Sequence, residues 1–318
     1  MTNDMLLTIA IPTYNNESTI SKSIESCISQ SNLEDTEILI INNASTDDTQ
    51  SIINKYKNNK VVRAIELKTN ISMYSNHNLC LKESLGRYVL FCHSDDQLDV
   101  DAVKIIKENL IKRQFPKKYI FWGYGMTGDY SYCLEQYGLK VGQMFAGQRA
   151  VLPHLSGGLP PSGTCYSKDI LEYGGFLDTN HYLQSSDSSS MVYLAIKGYR
   201  FEMIENIIGY KFLGSTHKPN QKLETLIASY ADAYDLLKAK LSEDEKDRLL
   251  NSAIVYNHRP PVPYLNYESN FNAKKIFKPL IVHSLLRPWL WGKPLFLKAF
   301  FNVILKIIIG KKTNKIKN

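Results

Sequence analysis

The feature that most constrains the fold is a repeated alternation of short apolar runs with amphipathic stretches between residues 5 and 122. Five runs rich in Ile, Leu and Val have the length of β-strands, at residues 5–11, 37–41, 61–67, 87–92 and 118–122. The stretches between them carry apolar residues at helical spacing, at residues 18–29, 47–56, 73–85 and 101–111. This order predicts an α/β, Rossmann-like fold, a mostly parallel sheet flanked by helices and joined by right-handed crossovers.

The pattern changes after Gly123, where Gly, Tyr, Ser and Pro become frequent. Residues 157–169, GGLPPSGTCYSKD, are predicted to form a loop. Residues 223–240 and 243–256 have helical patterns, and Ser242 with Glu245 forms the signature of a capping box at the start of the second. We therefore expect a sheet domain over residues 1–220 and a helical C-terminal extension over residues 221–318.

The net charge of +7 is confined to the C-terminal end. Residues 269–318 contain 11 Lys and Arg and no Asp or Glu, whereas the other 268 residues carry 27 basic and 31 acidic groups. A one-ended basic cluster beside apolar runs favours an anionic membrane surface, and we expect no nucleic-acid partner.

Within this basic end, residues 295–309 place Lys298, Asn302 and Lys306 on one stripe of a helix. The segment is shorter than the roughly 20 apolar residues that span a bilayer. We therefore expect residues 280–318 to make peripheral membrane contact. The alternative is a helix packed on the protein or in an oligomer contact.

The cysteines and the N-terminal residues point to a reducing compartment. Five cysteines with no CxxC spacing indicate neither a disulfide framework nor a zinc site. The first residues, MTNDMLLTIAIPTYNN, lack the basic region and long apolar run of a signal peptide. We expect a cytoplasmic protein, at the inner face of the plasma membrane if the tail binds lipid.

Polar loops follow four of the predicted strands, at residues 12–16, 42–47, 68–70 and 93–96. In an open parallel sheet such loops meet at one edge, where ligands bind. They would bring together the ring of Tyr14, the amides of Asn42 and Asn43, and the carboxylates of Asp95 and Asp96. A nucleotide needs a surface for its base, amides for its polar edge, and neutralisation of its diphosphate. Adjacent carboxylates bind a diphosphate only through a divalent cation, which predicts Mn²⁺ or Mg²⁺.

Each feature also has a simpler interpretation. An Asp pair after a strand is common in a solvated turn or a helix cap, and an isolated Tyr is often a packed edge residue. The pair Asn42-Asn43 suits a tight turn, because Asn tolerates left-handed backbone conformations. The conjunction of the loops at one edge favours the nucleotide-binding interpretation.

These residues resemble the family 2 glycosyltransferases, a large bacterial group with the GT-A fold. The segments LTIAIPTYNN, ILIINNASTDDT, NISMYSNHN and RYVLFCHSDDQLD are similar to the family's pattern in order and spacing over about residues 5–115. The resemblance implies a GT-A catalytic domain over residues 1–220. Residues 1–115 would bind a nucleotide-sugar donor, and residues 116–220 would hold the acceptor side and the catalytic base.

The resemblance also implies roles for individual residues. Pro12, Tyr14 and Asn43 would hold the base and ribose of a UDP- or dTDP-linked sugar. Asp95 would contact the sugar nucleotide, and Asp96 would coordinate the metal. The two site residues implied in the second half of the domain are Asp187 as general base and His217 near the metal or phosphates.

Departures from the family's pattern occur at five positions. Asn42 and Asn43 replace two acids, Ser186 replaces the acid beside the base, Ser72 replaces a Gly, and His77 stands where a basic residue is common. For Asp187 the alternative is a cap at the start of an apolar helix predicted from Met191. For His217 the alternative is an ordinary exposed loop residue.

The function that the resemblance implies is inverting transfer of a sugar to a glycan or lipid-linked glycan acceptor, in O-antigen or capsule synthesis. One alternative is a catalytically silent module that binds nucleotide sugars, supported by the Asn42-Asn43 and Ser186 departures. The other is a nucleotidyltransferase. That class would be expected to carry a Gly-rich loop with Arg or Lys after the first strand, and PTYNNES contains none of these residues.

Overall fold

The computed structural model describes residues 5–124, 134, 138–156, 159–178, 184–211 and 239–245. The chain divides into two compact units, Met1–Lys240 and Leu241–Asn318. The predicted domain boundary after residue 220, His217 and the basic tail at 280–318 all lie outside the described residues. Within the described part of the chain, no helix is both long enough and apolar enough to cross a membrane.

The strands and helices follow the predicted alternation. The strands are β1 Leu7–Thr13, β2 Thr36–Asn42, β3 Val62–Glu66, β4 Tyr88–Phe91, β5 Asp96–Leu98, β6 Tyr119–Tyr124, β7 Phe145–Ala146, β8 Thr164–Ser167, β9 Arg200–Ile207 and β10 Gly209–Lys211. The helices are α1 Ile20–Ile28, α2 Thr49–Asn54, α3 Met73–Glu83, α4 Ala102–Lys112, α5 Gln148–Ser156 and α6 Gln184–Ile196, with a 3₁₀ helix at Lys168–Tyr173. The five predicted strands and the four helices between them are confirmed, with ends displaced by a few residues.

The main sheet has eight strands in the order β3-β2-β1-β4-β8-β6-β9-β7. β1 lies between β2 and β4, and both pairings are parallel. Every residue of β1, β2 and β4 is buried. Strands that are covered on both faces require continuous apolar sequence, which explains the runs of Ile, Leu and Val. The predicted α/β class and mostly parallel sheet are confirmed.

The prediction of a loop over residues 157–169 is wrong in its second half. Residues 164–167 form β8, which pairs antiparallel with β4 on one side and β6 on the other. All four residues of β8 are buried. The strand is too short for a recognisable alternation, and its conformation depends on partners distant in sequence.

The helix predicted from Met191 begins seven residues earlier, at Gln184. The run of Ser and Asp before Met191 has low helix propensity, so the sequence pattern shows only its apolar second half. By contrast, the predicted capping box is confirmed. The Ser242 amide donates to Glu245 Oε2 at 2.8 Å, and the Glu245 amide donates to Ser242 Oγ at 3.3 Å.

Pro12 lies in a central strand, where its missing N–H would normally break the ladder. Pairing of β1 with β4 ends at Ala10 opposite Phe91, whereas pairing with β2 continues through Pro12 to Thr13. Pro12 therefore stands where β1 has lost its second neighbour. The gap between the ends of β1 and β4 lies at the carboxyl edge of the sheet, where the candidate site is located.

Candidate active site

The loops after β1, β2 and β4 are joined by hydrogen bonds at the carboxyl edge of the sheet. The Asn15 amide donates to Ser45 Oγ at 2.9 Å, and the Thr46 amide donates to Asn15 Oδ1 at 2.8 Å. Ser94 Oγ donates to Asn16 Oδ1 at 2.7 Å. The first loop is therefore tied to both the second and the fourth, and the prediction that these loops meet at one edge is confirmed.

The third loop is joined to the second by Asn43, which is 4% exposed. Its Nδ2 donates to the Ile71 carbonyl at 2.8 Å, and its Oδ1 accepts from the Ile71 amide at 2.9 Å. Asn42 is also buried, and its Oδ1 accepts from the Ser45 amide at 3.1 Å. Both amides thus hold loop backbone in place. The Asn43 side chain keeps the capacity for one more donated and one more accepted hydrogen bond.

The fourth loop is a tight turn that leads from β4 into β5. The Asp96 amide donates to the His93 carbonyl at 3.0 Å, which closes the turn. Ser162 Oγ accepts from the His93 amide at 3.0 Å and donates to Asp96 Oδ2 at 2.6 Å. Ser23 Oγ, from α1, donates to the Asp96 carbonyl at 2.6 Å. Neither serine was predicted as a site residue, because both are distant from the turn in sequence and the sequence does not display their contacts with it.

The turn brings three possible metal ligands together. One ligand atom from each of His93, Asp95 and Asp96 lies within 4.8 Å of the others. Donors on opposite sides of an ion such as Mg²⁺ are roughly 4.2 Å apart, so this set fits one divalent cation after small adjustment. Carboxylate oxygen is a ligand for Mg²⁺ and Mn²⁺, and imidazole nitrogen is a ligand for transition metals. Asp95 and Asp96 were predicted at this position. His93 was not predicted as a ligand, although it opens the same four-residue turn.

A second histidine lies directly behind His93. His77, on α3, is 1% exposed, and its Nε2 is 2.8 Å from Nε2 of His93. Its Nδ1 is 2.7 Å from the Met73 carbonyl. The pKa of His77 is lowered to about 3, mainly by burial and secondly by the neighbouring His93. His77 is therefore neutral at physiological pH.

Tyr14 and Asp187, two other predicted site residues, differ in their surroundings. Tyr14 follows β1 directly and is 44% exposed, so one side of its ring is open to a ligand. Asp187 lies in the first turn of α6 and is half-buried, beside the fully buried Ser186. A carboxylate in that turn is also favoured by the helix dipole, so the position fits both a base and a cap.

Ser72, a departure from the family's pattern, has a structural use. It caps α3, since its Oγ accepts from the Ser75 amide at 3.0 Å. The hydroxyls of Ser72 and Ser75 both donate to Asp178 Oδ2. Asp178 thus ties the start of α3 to the segment that leads toward α6.

Comparison with known proteins identifies the class. Residues 8–115 match the model of glycosyl transferase family 2. The chain has the fold of Staphylococcus aureus TarS residues 1–349 in complex with UDP, with a TM-score of 0.63, 16% identity, and coverage of 96% of this chain and 92% of that one. A mannosyltransferase from Pyrobaculum calidifontis, in complex with GDP-Man and Mn²⁺, gives a TM-score of 0.54 at 14% identity, covering 94% of this chain and 86% of that one. The fold is therefore that of the GT-A glycosyltransferases, as predicted.

Sequence relatives agree with this class. S. aureus TarS, a poly(ribitol-phosphate) β-N-acetylglucosaminyltransferase, is 31% identical over 102 residues, which are 31% of this chain and 18% of TarS. The chondroitin synthase of Pasteurella multocida is 36% identical over 108 residues, 34% of this chain and 11% of that protein. Escherichia coli WfaP, named as a UDP-Glc:α-D-GlcNAc-diphosphoundecaprenol β-1,3-glucosyltransferase, is 39% identical over 93 residues, 29% of this chain and 36% of WfaP. The chain thus spans about a tenth to a third of the length of these relatives.

Over residues 8–115 the predicted resemblance to the family 2 glycosyltransferases is therefore confirmed.

Proposed function

We propose that this chain is a metal-dependent, inverting glycosyltransferase that uses a UDP- or dTDP-linked sugar and acts in the synthesis of a cell-surface polysaccharide such as O-antigen or capsule. The observation that carries the proposal is the group His93, Asp95 and Asp96, held in one turn at the carboxyl edge of the sheet. This turn lies inside the segment that matches the family, and it is hydrogen-bonded to the loop that carries Tyr14.

The proposed donor site uses the loops in the order in which they leave the sheet. Tyr14 stacks on the base, Pro12 shapes the floor beneath it, and Asn43 offers its remaining N–H and lone pair to the polar edge of the base. Asp95 contacts the sugar nucleotide and Asp96 binds the cation, with His217 as a further predicted ligand. A bound cation would neutralise the negative charge that develops on the departing diphosphate.

Asp187 is proposed as the general base that takes the proton from the acceptor hydroxyl. A carboxylate that reaches the acceptor hydroxyl can take its proton as the new bond to the sugar forms. The fully buried Ser186 beside it provides no second negative charge. The chain therefore relies on one carboxylate where the family's pattern has two.

Donor binding tests the first part of the proposal. We expect UDP or dTDP sugars to raise the melting temperature in the presence of Mn²⁺, because a ligand that binds only the folded state stabilises it. The shift should disappear after chelation and in Asp96→Asn. The matched control is Asp101→Asn, which changes an exposed acid outside the turn and should leave the shift intact. An equal shift after exhaustive chelation would refute metal-dependent donor binding.

Transfer tests the second part. Asp187→Asn should keep the donor-induced shift and lose transfer by about 10²–10⁴-fold, the usual contribution of a general base. Normal turnover in this variant would exclude Asp187 as the base. The silent-module alternative predicts that wild-type protein neither transfers nor slowly hydrolyses a sugar nucleotide that it binds.

A lipid-linked acceptor is proposed because the C-terminal sequence has the features of an interfacial helix. Trp289 and Trp291 precede the apolar stretch, and Lys311, Lys312 and Lys315 follow it. WfaP, one of the relatives, is named for a diphosphoundecaprenol acceptor. Full-length protein should float with vesicles that contain anionic lipid, and a variant without residues 280–318 should not. Equal flotation of both proteins would contradict the membrane contact.

A further inference from the structure

The proposed function assigns the cation to Asp96 and the predicted ligand His217, and it gives no atom-level role to the contact between His77 and His93 at the edge of the sheet. Three of the four ring nitrogens have a hydrogen-bond partner, and these partners determine which nitrogens carry protons. A carbonyl oxygen can only accept, so Nδ1 of His77 must carry the proton that points at the Met73 carbonyl, 2.7 Å away.

The second nitrogen of His77 then carries no proton. His77 is 1% exposed and packs against the rings of Tyr74, Phe91 and Phe176, with centroids 5.5, 5.1 and 5.9 Å away. A doubly protonated ring in these surroundings would bury an uncompensated positive charge. Nε2 of His77 is therefore an acceptor.

The contact between the rings fixes the state of His93. Its Nε2 is 2.8 Å from the acceptor Nε2 of His77, so Nε2 of His93 must be the nitrogen that carries the proton. In the neutral ring the lone pair then lies on Nδ1. The rest of His93 is also held: its amide donates to Ser162 Oγ, and its carbonyl accepts from the Asp96 amide. Ring and backbone are thus fixed before any ligand binds.

We propose that His93 ligates the divalent cation through Nδ1, together with Asp95 and Asp96, and that His77 is a positioning residue that selects this tautomer of His93. The inference rests on the proposed function only in requiring a cation at this turn. A ligand histidine whose other nitrogen is hydrogen-bonded to a fixed partner is a common arrangement around protein metals.

The donor set has a consequence for metal choice. Mg²⁺ favours carboxylate, carbonyl and water oxygen, whereas imidazole nitrogen is better suited to transition metals. A site with one imidazole and two carboxylates therefore binds Mn²⁺ more tightly than Mg²⁺. Replacing the imidazole by a carboxylate, as in His93→Asp, should reduce this preference.

The first experiment uses full-length protein with Mn²⁺ alone, without donor or acceptor. Pulsed electron paramagnetic resonance should detect a coupled ¹⁴N nucleus on bound Mn²⁺ in His217→Ala, which lacks the other proposed nitrogen ligand, and none when His93→Asp is added to that variant. His154→Gln, which changes another buried histidine, is the control and should keep the signal. Bound Mn²⁺ without nitrogen coupling in His217→Ala, or coupling that survives when His93→Asp is added to it, would overturn the assignment.

The second experiment measures affinities. His93→Ala should weaken Mn²⁺ binding by tenfold or more and change Mg²⁺ binding less. His77→Phe keeps an aromatic ring but removes the acceptor, and loss of such a partner typically weakens metal binding by about 10–100-fold. Equal Mn²⁺ affinity in wild type and both variants would refute the proposal. Absence of any Mn²⁺ binding in the wild type would instead count against the metal in the proposed function.

A third measurement reads the tautomers of both histidines, and its decisive outcome comes from the wild type and so does not depend on a variant's folding. The ¹⁵N chemical shifts of metal-free wild-type protein should show His93 protonated at Nε2 and His77 protonated at Nδ1. In His77→Phe, His93 should become a mixture of tautomers. A wild-type His93 protonated at Nδ1 would exclude the proposed ligand atom, whatever the affinities show.

Discussion

His154 should make the stability of the fold depend on pH in a way that a single substitution removes. It lies in α5, is fully buried, and packs among aromatic rings, with centroids 4.5 Å from Phe201, 6.3 Å from Trp122 and 6.4 Å from Phe145. Burial lowers the pKa of His154 to about 3, because the charged ring would lose its hydration.

The sign and size of the effect follow from the two pKa values. In the unfolded chain His154 has its ordinary pKa of 6.5. Above pH 6.5 neither state binds the proton, and stability is complete. As the pH falls from 6.5 toward 3, only the unfolded chain takes up the proton, so the free energy of unfolding decreases. At pH 5.0 the loss from this one group is about 2 kcal/mol.

The assay compares urea unfolding of the wild type, His154→Gln and His154→Leu at pH 7.5 and 5.0, followed by circular dichroism and tryptophan fluorescence. The loss of stability between the two pH values should be about 2 kcal/mol smaller in both variants than in the wild type. His77 is present in all three proteins, so its own contribution cancels. The same pH dependence in all three, or a wild-type His154 that titrates near 6.5 by NMR, would refute the reasoning.

Two further predictions concern the proposed donor site and the ion pair between Arg113 and Glu202. Tyr14→Ala should weaken binding of a UDP sugar by about 10–100-fold in calorimetry, since base stacking on an aromatic ring contributes about 1–3 kcal/mol. Tyr14→Phe should bind normally, and equal affinity of the Ala variant would mean that the ring does not stack. Glu202 is 1% exposed and accepts from Arg113 Nε at 2.9 Å. Glu202→Gln should destabilise the protein by about 3 kcal/mol in urea unfolding, because it leaves a largely buried guanidinium without its partner charge. A loss below about 1 kcal/mol would indicate that the guanidinium finds another partner.

Much of the first half of the fold was predictable because β1, β2 and β4 are buried on both faces. Every residue of β1 and β2 is buried, so their sequences are continuous apolar runs that few other structures require. β8 could not be predicted in this way. Its four residues, TCYS, form a strand only because β4 and β6 offer hydrogen-bonding edges on either side. The residues that pair with β8 lie more than forty residues away along the chain.

The candidate site was predictable to the level of loops and less so to the level of atoms. Topology alone places Asp95 and Asp96 at the carboxyl edge of the sheet. Topology does not show that Asn43 forms two hydrogen bonds with the backbone of Ile71. It also does not show that Nε2 of His77 lies 2.8 Å from Nε2 of His93. Such partnerships depend on side-chain directions set by packing between α3 and the sheet. Sequence spacing does not encode these directions.

The hydrogen bonds among the loops bear on how the site binds its ligand. Asn16 holds Ser94, Ser162 holds both ends of the turn from His93 to Asp96, and Asn43 holds the loop at Ile71. All of these contacts join one part of the protein to another. Ordering a flexible side chain on binding costs about 0.5–1.5 kcal/mol each, so a site that is already ordered avoids much of this loss. Asn42 and Asn43 of the second loop make such contacts to loop backbone, so fewer groups need to be ordered when the proposed donor binds.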